Sequence, residues 1–159
     1  MTANKPARLV VLLGSASDLP VVEDMAPLCE RFGISHRVEI ASAHRQPDRL
    51  RQVIRESEAA GADIFVAVAG MAAHLPGVVA SLTLRPVIGV PVAVGALGGL
   101  DALLSIVQMP PGVPVATVAI GKAGARNAAV LAARILALGD PAIAAALAAY
   151  REDLAQGGR

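Results

Sequence analysis

The segment Ala41-Ser42-Ala43-His44-Arg45-Gln46-Pro47-Asp48 puts a hydroxyl, an imidazole and a guanidinium side by side, flanked by small Ala. It follows the short alternating run His36–Ile40 and precedes a helical pattern, so it reads as the turn from a strand into a helix. A helix start exposes unpaired backbone N–H groups and the positive end of the dipole, which suits an anion. His44 can give or take a proton near neutral pH. Arg45 offers a planar fork that fits phosphate or carboxylate. Taken alone, a surface turn with a capping Ser accounts for the same residues equally well.

Two further segments share this position after a strand. Val10-Val11-Leu12-Leu13-Gly14-Ser15-Ala16-Ser17-Asp18-Leu19-Pro20 is an apolar run that ends at a Gly and continues as Ser-x-Ser-Asp. Ser15 and Ser17 can donate to phosphate oxygens, and Asp18 can accept from a sugar diol. The loop has neither the GxGxxG spacing of dinucleotide sites nor the Gly-Lys-Ser/Thr of a P-loop, and a Ser-rich helix cap explains it as well as a ligand loop does. In Val66-Ala67-Val68-Ala69-Gly70-Met71-Ala72-Ala73-His74-Leu75-Pro76-Gly77 a buried strand runs into small residues and then His74. Small residues let a flat ligand approach the backbone, although a lone His is more often structural. Open parallel sheets bind ligands beyond the carboxyl ends of their strands. Three polar loops at one such edge are harder to explain as caps than any one of them.

The elements that must position these loops alternate along the chain. Strands are expected at Arg8–Leu13, His36–Ile40, Asp63–Ala69, Val87–Val90 and Val115–Ile120. Helices are expected at Leu19–Phe32, Pro47–Ala60, Ala73–Leu82, Asp101–Gln108 and Gly124–Leu138. Pro27 should kink or break the first of these. Asp140-Pro141 starts a last helix, about residues 140–155, whose stripe Ile143, Leu147, Tyr150 and Leu154 packs on the domain or on a neighbouring subunit. With no internal linker or repeat, residues 1–159 read as a single α/β domain. The alternation argues a parallel sheet with right-handed crossovers.

Composition narrows the function classes. Hydrophobic residues make up 55% and charged residues 17%, below the roughly 25% usual for charged residues. Between Pro86 and Ile120 the only formal charge is Asp101, so this stretch belongs in the core, in a subunit interface, or in both, and a homo-oligomer is expected. A membrane span is the competing reading. Asp101 divides the stretch, and Pro110, Pro111, Gly112 and Pro114 would break a helix in its second half. The first residues carry no apolar signal core, so a cytoplasmic protein without membrane contact is expected. A net charge of +1 and only Phe32, Phe65 and Tyr150 as aromatics give no case for nucleic acid. The single Cys29 cannot form an internal disulfide and lies in a helical pattern, so it reads as structural. No Cys/His cluster has metal-ligand spacing. The lysines are Lys5 and Lys122. Lys122 lies in a loop after a strand, which leaves a Schiff-base role open by position, but nothing beside it would activate it.

Together, Gly14-Ser15-Ala16-Ser17-Asp18, Ser42-Ala43-His44-Arg45, Ala72-Ala73-His74-Leu75-Pro76-Gly77, Ser105-Ile106-Val107-Gln108-Met109-Pro110 and Ala119-Ile120-Gly121-Lys122-Ala123-Gly124 resemble the N5-carboxyaminoimidazole ribonucleotide mutases of purine biosynthesis. The resemblance runs over roughly residues 8 to 150. It implies a flavodoxin-like three-layer αβα sandwich, a homo-octamer, a small-molecule ribonucleotide substrate and no cofactor or metal. It implies an isomerase that moves a carboxylate from N5 to C4 of the imidazole ring. Carried onto the matching positions, it implies that Ser15, Ser17, Ser42 and Arg45 hold the 5′-phosphate and that Asp18 accepts from the ribose hydroxyls. Ala43, Ala69, Gly70 and Ala72 would wall the imidazole, with Leu75 beside them in the third motif. His44 would shuttle the proton and His74 would line the pocket near the carboxylate. A carboxylase using free CO2 is the alternative on the same fold, and a nucleotide-binding module without chemistry is the alternative of another class. A pure binder would need Arg45 and the serines but no titrating His44.

Overall fold

The computed structural model describes residues 6–158. Its centre is a sheet of β1 (Leu9–Leu13), β2 (His36–Ile40), β3 (Ile64–Gly70), β4 (Val87–Val92) and β5 (Ala116–Thr117). Every pairing is parallel, in the order β2-β1-β3-β4-β5. This is the flavodoxin-like order, and the chain reverses its direction of travel between β1 and β3. The helices are α1 (Leu19–Val22), α2 (Met25–Arg31), α3 (Pro47–Ala59), α4 (Leu75–Leu82), α5 (Leu100–Val107), α6 (Gly121–Leu136) and α7 (Pro141–Ala155).

Strand periodicity sends alternate side chains to opposite faces. Leu9, Val11 and Leu13 meet α1, α2, α6 and α7 through Val22, Met25, Cys29, Ala129 and Ile143. Val10 and Leu12 meet α3, α4 and α5 through Leu50, Ile54, Val79 and Ile106. Both faces are thus covered and the sandwich has three layers, as the resemblance implies. Each fully buried Leu or Ile of these layers contributes about 1.5–3 kcal/mol by leaving water. On α6 the contact face is Ala125, Ala128, Ala129, Ala132 and Ala133, all fully buried. These short side chains let the helix lie close to β4. A Cβ at Gly124 would strike the Ala119 carbonyl oxygen, so glycine is needed where α6 leaves the sheet.

The break expected in the first helix is present, and several boundaries differ from the sequence reading, among them α6, which spans Gly121–Leu136 and not Gly124–Leu138. The first helix is broken between α1 and α2. Pro27 has no N–H for the Glu23 carbonyl and its ring would strike that oxygen, so the break falls just upstream of the proline. The fourth helix begins at Leu75 and not at Ala73, because Ala73 has φ 44°. Strand β4 runs on to Val92 through Pro91. Strand β5 spans only Ala116–Thr117 and not Val115–Ile120. Pairing with β3, which extends to Gly70 opposite Val92, carries β4 past Pro91, and the same proline stops β5. The Val118 N–H donates to the Gly89 carbonyl at 3.1 Å. The next rung of a parallel ladder would run from the amide of residue 91, which proline lacks. Pro91 is tolerated because β5 reaches only Ile88 and Gly89, and the ladder stops there.

The uncharged stretch divides between inside and outside. Ile88, Val90, Val92, Ala102 and Ile106 are buried, whereas Leu97, Leu100, Leu104 and Val107 stand exposed around α5. Helix α7 packs on its own chain. Its Tyr150 ring meets Phe32 edge-on at 5.3 Å between centroids, and the Arg31 guanidinium lies 4.8 Å from the Tyr150 centroid. Asp140 caps α7 by accepting from the amides of Ala142 and Ile143. Those amides and the Arg8 guanidinium hold its carboxyl below the usual carboxylate range. Arg8 also binds Asp63 at 2.7 Å, so one side chain ties the start of β1 to the start of β3 and to α7. Among the described residues no helix is long and apolar enough to cross a membrane.

Candidate active site

The loops after β1, β2 and β3 meet beyond the carboxyl ends of the strands, at the point where the chain reverses direction. They enclose an open cleft of about 500 Å³. Every residue given a substrate or proton role from the sequence lines it, whereas the motifs Ser105–Pro110 and Ala119–Gly124 do not. Ser15, Ser17 and Asp18 come from the first loop, and Ser42, Ala43, His44 and Arg45 from the second. The third loop supplies Ala69, Gly70, Ala72, His74 and Leu75. The cleft also takes in Gly14, Met71, Ala73 and Val94. Val94 follows β4, whose loop had no polar signal to point to it.

The first loop turns through a short 3-10 segment, Ala16–Asp18, before the four-residue α1. Ser15 caps that turn by accepting from the Ser17 amide at 3.3 Å, and the two hydroxyl oxygens lie 2.9 Å apart. The serines therefore serve as a cap and line the cleft at once. The free amides here belong to a tight turn and a single helical turn, so a strong helix dipole is absent. Asp18 is only 7% exposed. Loss of water raises its carboxyl above the usual range, while hydrogen bonds from the Ser15 backbone and the Ser17 side chain pull the other way. A buried carboxylate in this position accepts hydrogen bonds from a neutral diol readily and repels an anion.

The second loop is a turn, not a helix cap. Ser42 Oγ accepts from the Arg45 amide at 3.3 Å, and the Gln46 amide closes onto the Ser42 carbonyl at 2.9 Å. Helix α3 starts only afterwards, at Gln46-Pro47, with no side-chain cap. Arg45 then reaches across to the first loop, donating from Nη2 to the Gly14 carbonyl at 3.2 Å. Its Nε also donates to Ser42 Oγ at 3.5 Å, so the guanidinium is held in the cleft that Ser15, Ser17 and Ser42 also line.

The third loop brings His74 onto His44. His44 Nε2 faces His74 Nδ1 in a hydrogen bond. The rings meet edge-on, 4.7 Å between centroids and 82° between planes. One nitrogen of this contact donates and the other accepts, so the contact links the tautomers of the two rings. The spacing of the two residues in the chain carries no hint of this contact. Around the pair the walls are Ala43, Ala69, Ala72 and Ala73. Gly70 is required there, because a Cβ would strike Val94 and come within 3.2 Å of the Val92 carbonyl oxygen.

Other candidate groups lie elsewhere. Burial, aided by the charge of Glu30, pushes the Cys29 thiol up to about 12, so it is no nucleophile. Lys122 sits in the first turn of α6, 3.7 Å from Glu23, and does not line the cleft. Among the described residues no group of three or more His, Cys, Asp or Glu is placed to hold a metal ion.

Comparison with known proteins fits this geometry. Residues 8–157 match the AIR carboxylase family. The chain belongs to the AIR carboxylase family. Within it, the N5-carboxyaminoimidazole ribonucleotide mutase of Pyrococcus abyssi is 53% identical over 144 residues, covering 91% of this chain and 82% of that protein. The Escherichia coli K12 protein of the same name is 53% identical over 137 residues, covering 86% of this chain and 81% of that protein. The crystal structure of Treponema denticola PurE superposes with a TM-score of 0.86 at 32% identity, covering 94% of this chain and 92% of that one. An AIR carboxylase family member with this strand order thus carries its polar loops where the fold binds ligands.

Proposed function

We propose that this chain is an N5-carboxyaminoimidazole ribonucleotide mutase. It moves a carboxylate from N5 to C4 of the imidazole ring to give 4-carboxy-5-aminoimidazole ribonucleotide in purine biosynthesis. The observation that carries the reading is the joining of two sets of groups in one cleft: a recognition set around Arg45, and a pair of imidazoles among small apolar walls. Relatives about half identical over most of the chain bear the mutase name.

The roles are those that the family resemblance implies, and the gathering of these residues in one cleft supports them. Arg45, Ser15, Ser17 and Ser42 hold the 5′-phosphate, and Asp18 accepts from the ribose hydroxyls. His44 gives its proton to N5. The N5–carboxylate bond then breaks, leaving a neutral amine and CO2. The aminoimidazole is enamine-like, so its C4 attacks the trapped CO2 and a C4–carboxylate bond forms. His44 takes back the proton that C4 loses, and the balance closes on one imidazole cycling between acid and base. His74 fixes which His44 nitrogen carries hydrogen. Holding CO2 beside C4 replaces a bimolecular capture by a local one.

The test is to incubate the purified protein with the N5-carboxylated ribonucleotide in the absence of ATP. Formation of the C4-carboxylate is the expected result. Product only from the uncarboxylated ribonucleotide and free CO2 would make the protein a carboxylase, the activity for which its family is named. Tight binding without conversion would make it a binding module.

We further infer a homo-octamer acting in the cytoplasm. The exposed Leu97, Leu100, Leu104 and Val107 support assembly, and the eightfold count rests on the family resemblance. Light scattering should give an octameric mass, and a monomer across micromolar concentrations would overturn the assignment.

A further inference from the structure

The turn that carries His74 is built against the preference of its own residues. The Ala73 amide donates to the Gly70 carbonyl at 3.0 Å, closing a four-residue turn from Gly70 to Ala73. Met71 has φ 55° and Ala73 has φ 44°, left-handed conformations that a side chain disfavours. Backbone of this kind persists only where its surroundings hold it. The far end of the turn is held by burial of Ala73 and Leu75. Its near end is Gly70, the last residue of β3, which pairs with Val92 of β4.

That near end is held from the neighbouring strand. Val94 lies two residues beyond Val92, and its side chain occupies the space that a Cβ on Gly70 would take. A missing Cβ on one strand and a branched side chain from the next thus fit together. Past Val94 the loop turns through Gly95, Gly98 and Gly99, all at positive φ, and none of the residues 95–99 lines the cleft. Val94 is where the β4 loop meets the site. From it a chain of contacts runs through Gly70 and the closed turn to His74, and from His74 Nδ1 to His44 Nε2.

We propose that Val94 is a positioning residue: seated on Gly70, its side chain holds the turn that presents His74 to His44. Its effect on turnover rests on the mutase reading. Its effect on the two imidazoles rests on the fold alone.

Two substitutions and one combination test the role. Val94→Ala removes both branches from over Gly70. Val94→Ile keeps both, and the added methyl has room on a residue that is 37% exposed. Without substrate, the imidazole nitrogens are read by 15N NMR, with His44→Asn and His74→Asn assigning the signals. With substrate, formation of the C4-carboxylate is read. Val94→Ala should shift the His44 and His74 nitrogens and lower kcat several-fold. KM should change little, because the phosphate and ribose contacts belong to the other two loops. Val94→Ile should match wild type in every measurement. In a His74→Asn protein, Val94→Ala should cost no further turnover, since its route to His44 is already cut. Wild-type imidazole signals in Val94→Ala, or the same loss of turnover with and without His74, would overturn the positioning role and leave the mutase reading intact. A wild-type protein that forms no C4-carboxylate would overturn the mutase reading, while shifted imidazole nitrogens in Val94→Ala would still support the hold on His74.

Discussion

His44→Asn should bind the N5-carboxylated ribonucleotide within about tenfold of wild type, roughly 1.4 kcal/mol, yet lose turnover by about two or more orders of magnitude. The asparagine amide keeps a donor near the position of the imidazole edge, so the turn of Ser42 to Gln46 and the walls around it need not move. It cannot cycle a proton at neutral pH. Binding is read by calorimetry and turnover by formation of the C4-carboxylate. Crystals of the variant soaked with substrate should hold it intact. His74→Asn should retain more activity, because His74 meets His44 rather than supplying the proton itself. If His44→Asn turned over normally while His74→Asn was dead, the two roles would be reversed.

Arg45→Ala should weaken binding of the phosphorylated substrate by about 2–5 kcal/mol, the scale for loss of a charged partner in a desolvated contact. Arg45 also donates to the Gly14 carbonyl, so the variant could loosen the first loop as well as lose a charge. Comparing the nucleotide with its dephosphorylated nucleoside separates these effects. Loss of the phosphate contact erases the preference for the nucleotide, whereas a loosened loop weakens both ligands alike. Equal affinity of Arg45→Ala and wild type for the phosphorylated ligand would remove Arg45 from the phosphate site.

The gathering of the three loops was legible because it follows from topology. Strands separated by helices pair in parallel, and the loops after them must then share one edge. The proline break in the first helix was legible because Pro27 acts on its own neighbours. What the sequence did not reveal depends on partners distant in the chain. The shortness of β5 is set by Pro91 of β4, a cross-strand neighbour invisible to any local pattern. The late start of α4 comes from positive φ at Met71 and Ala73, residue types that do not signal it. Val94 enters the cleft from a loop with no chemistry of its own. The contact of His44 with His74 joins residues from different loops, and their direct hydrogen bond required the fold to reveal it.

Because of that contact, the ring nitrogen that His44 uses decides whether substrate engagement exchanges its partners. His44 Nε2 is engaged by His74 Nδ1. If N5 is to receive its proton from Nε2, the ring must first let go of His74. If it comes from Nδ1, the contact survives and the proton at its far end is fixed by the neighbour. In the first case His74 Nδ1 loses its hydrogen-bond partner each time substrate is engaged, and water or the carboxylate must take its place. His74 would then register occupancy of the site, and its ring nitrogen would be the atom to watch by NMR as the ligand is added.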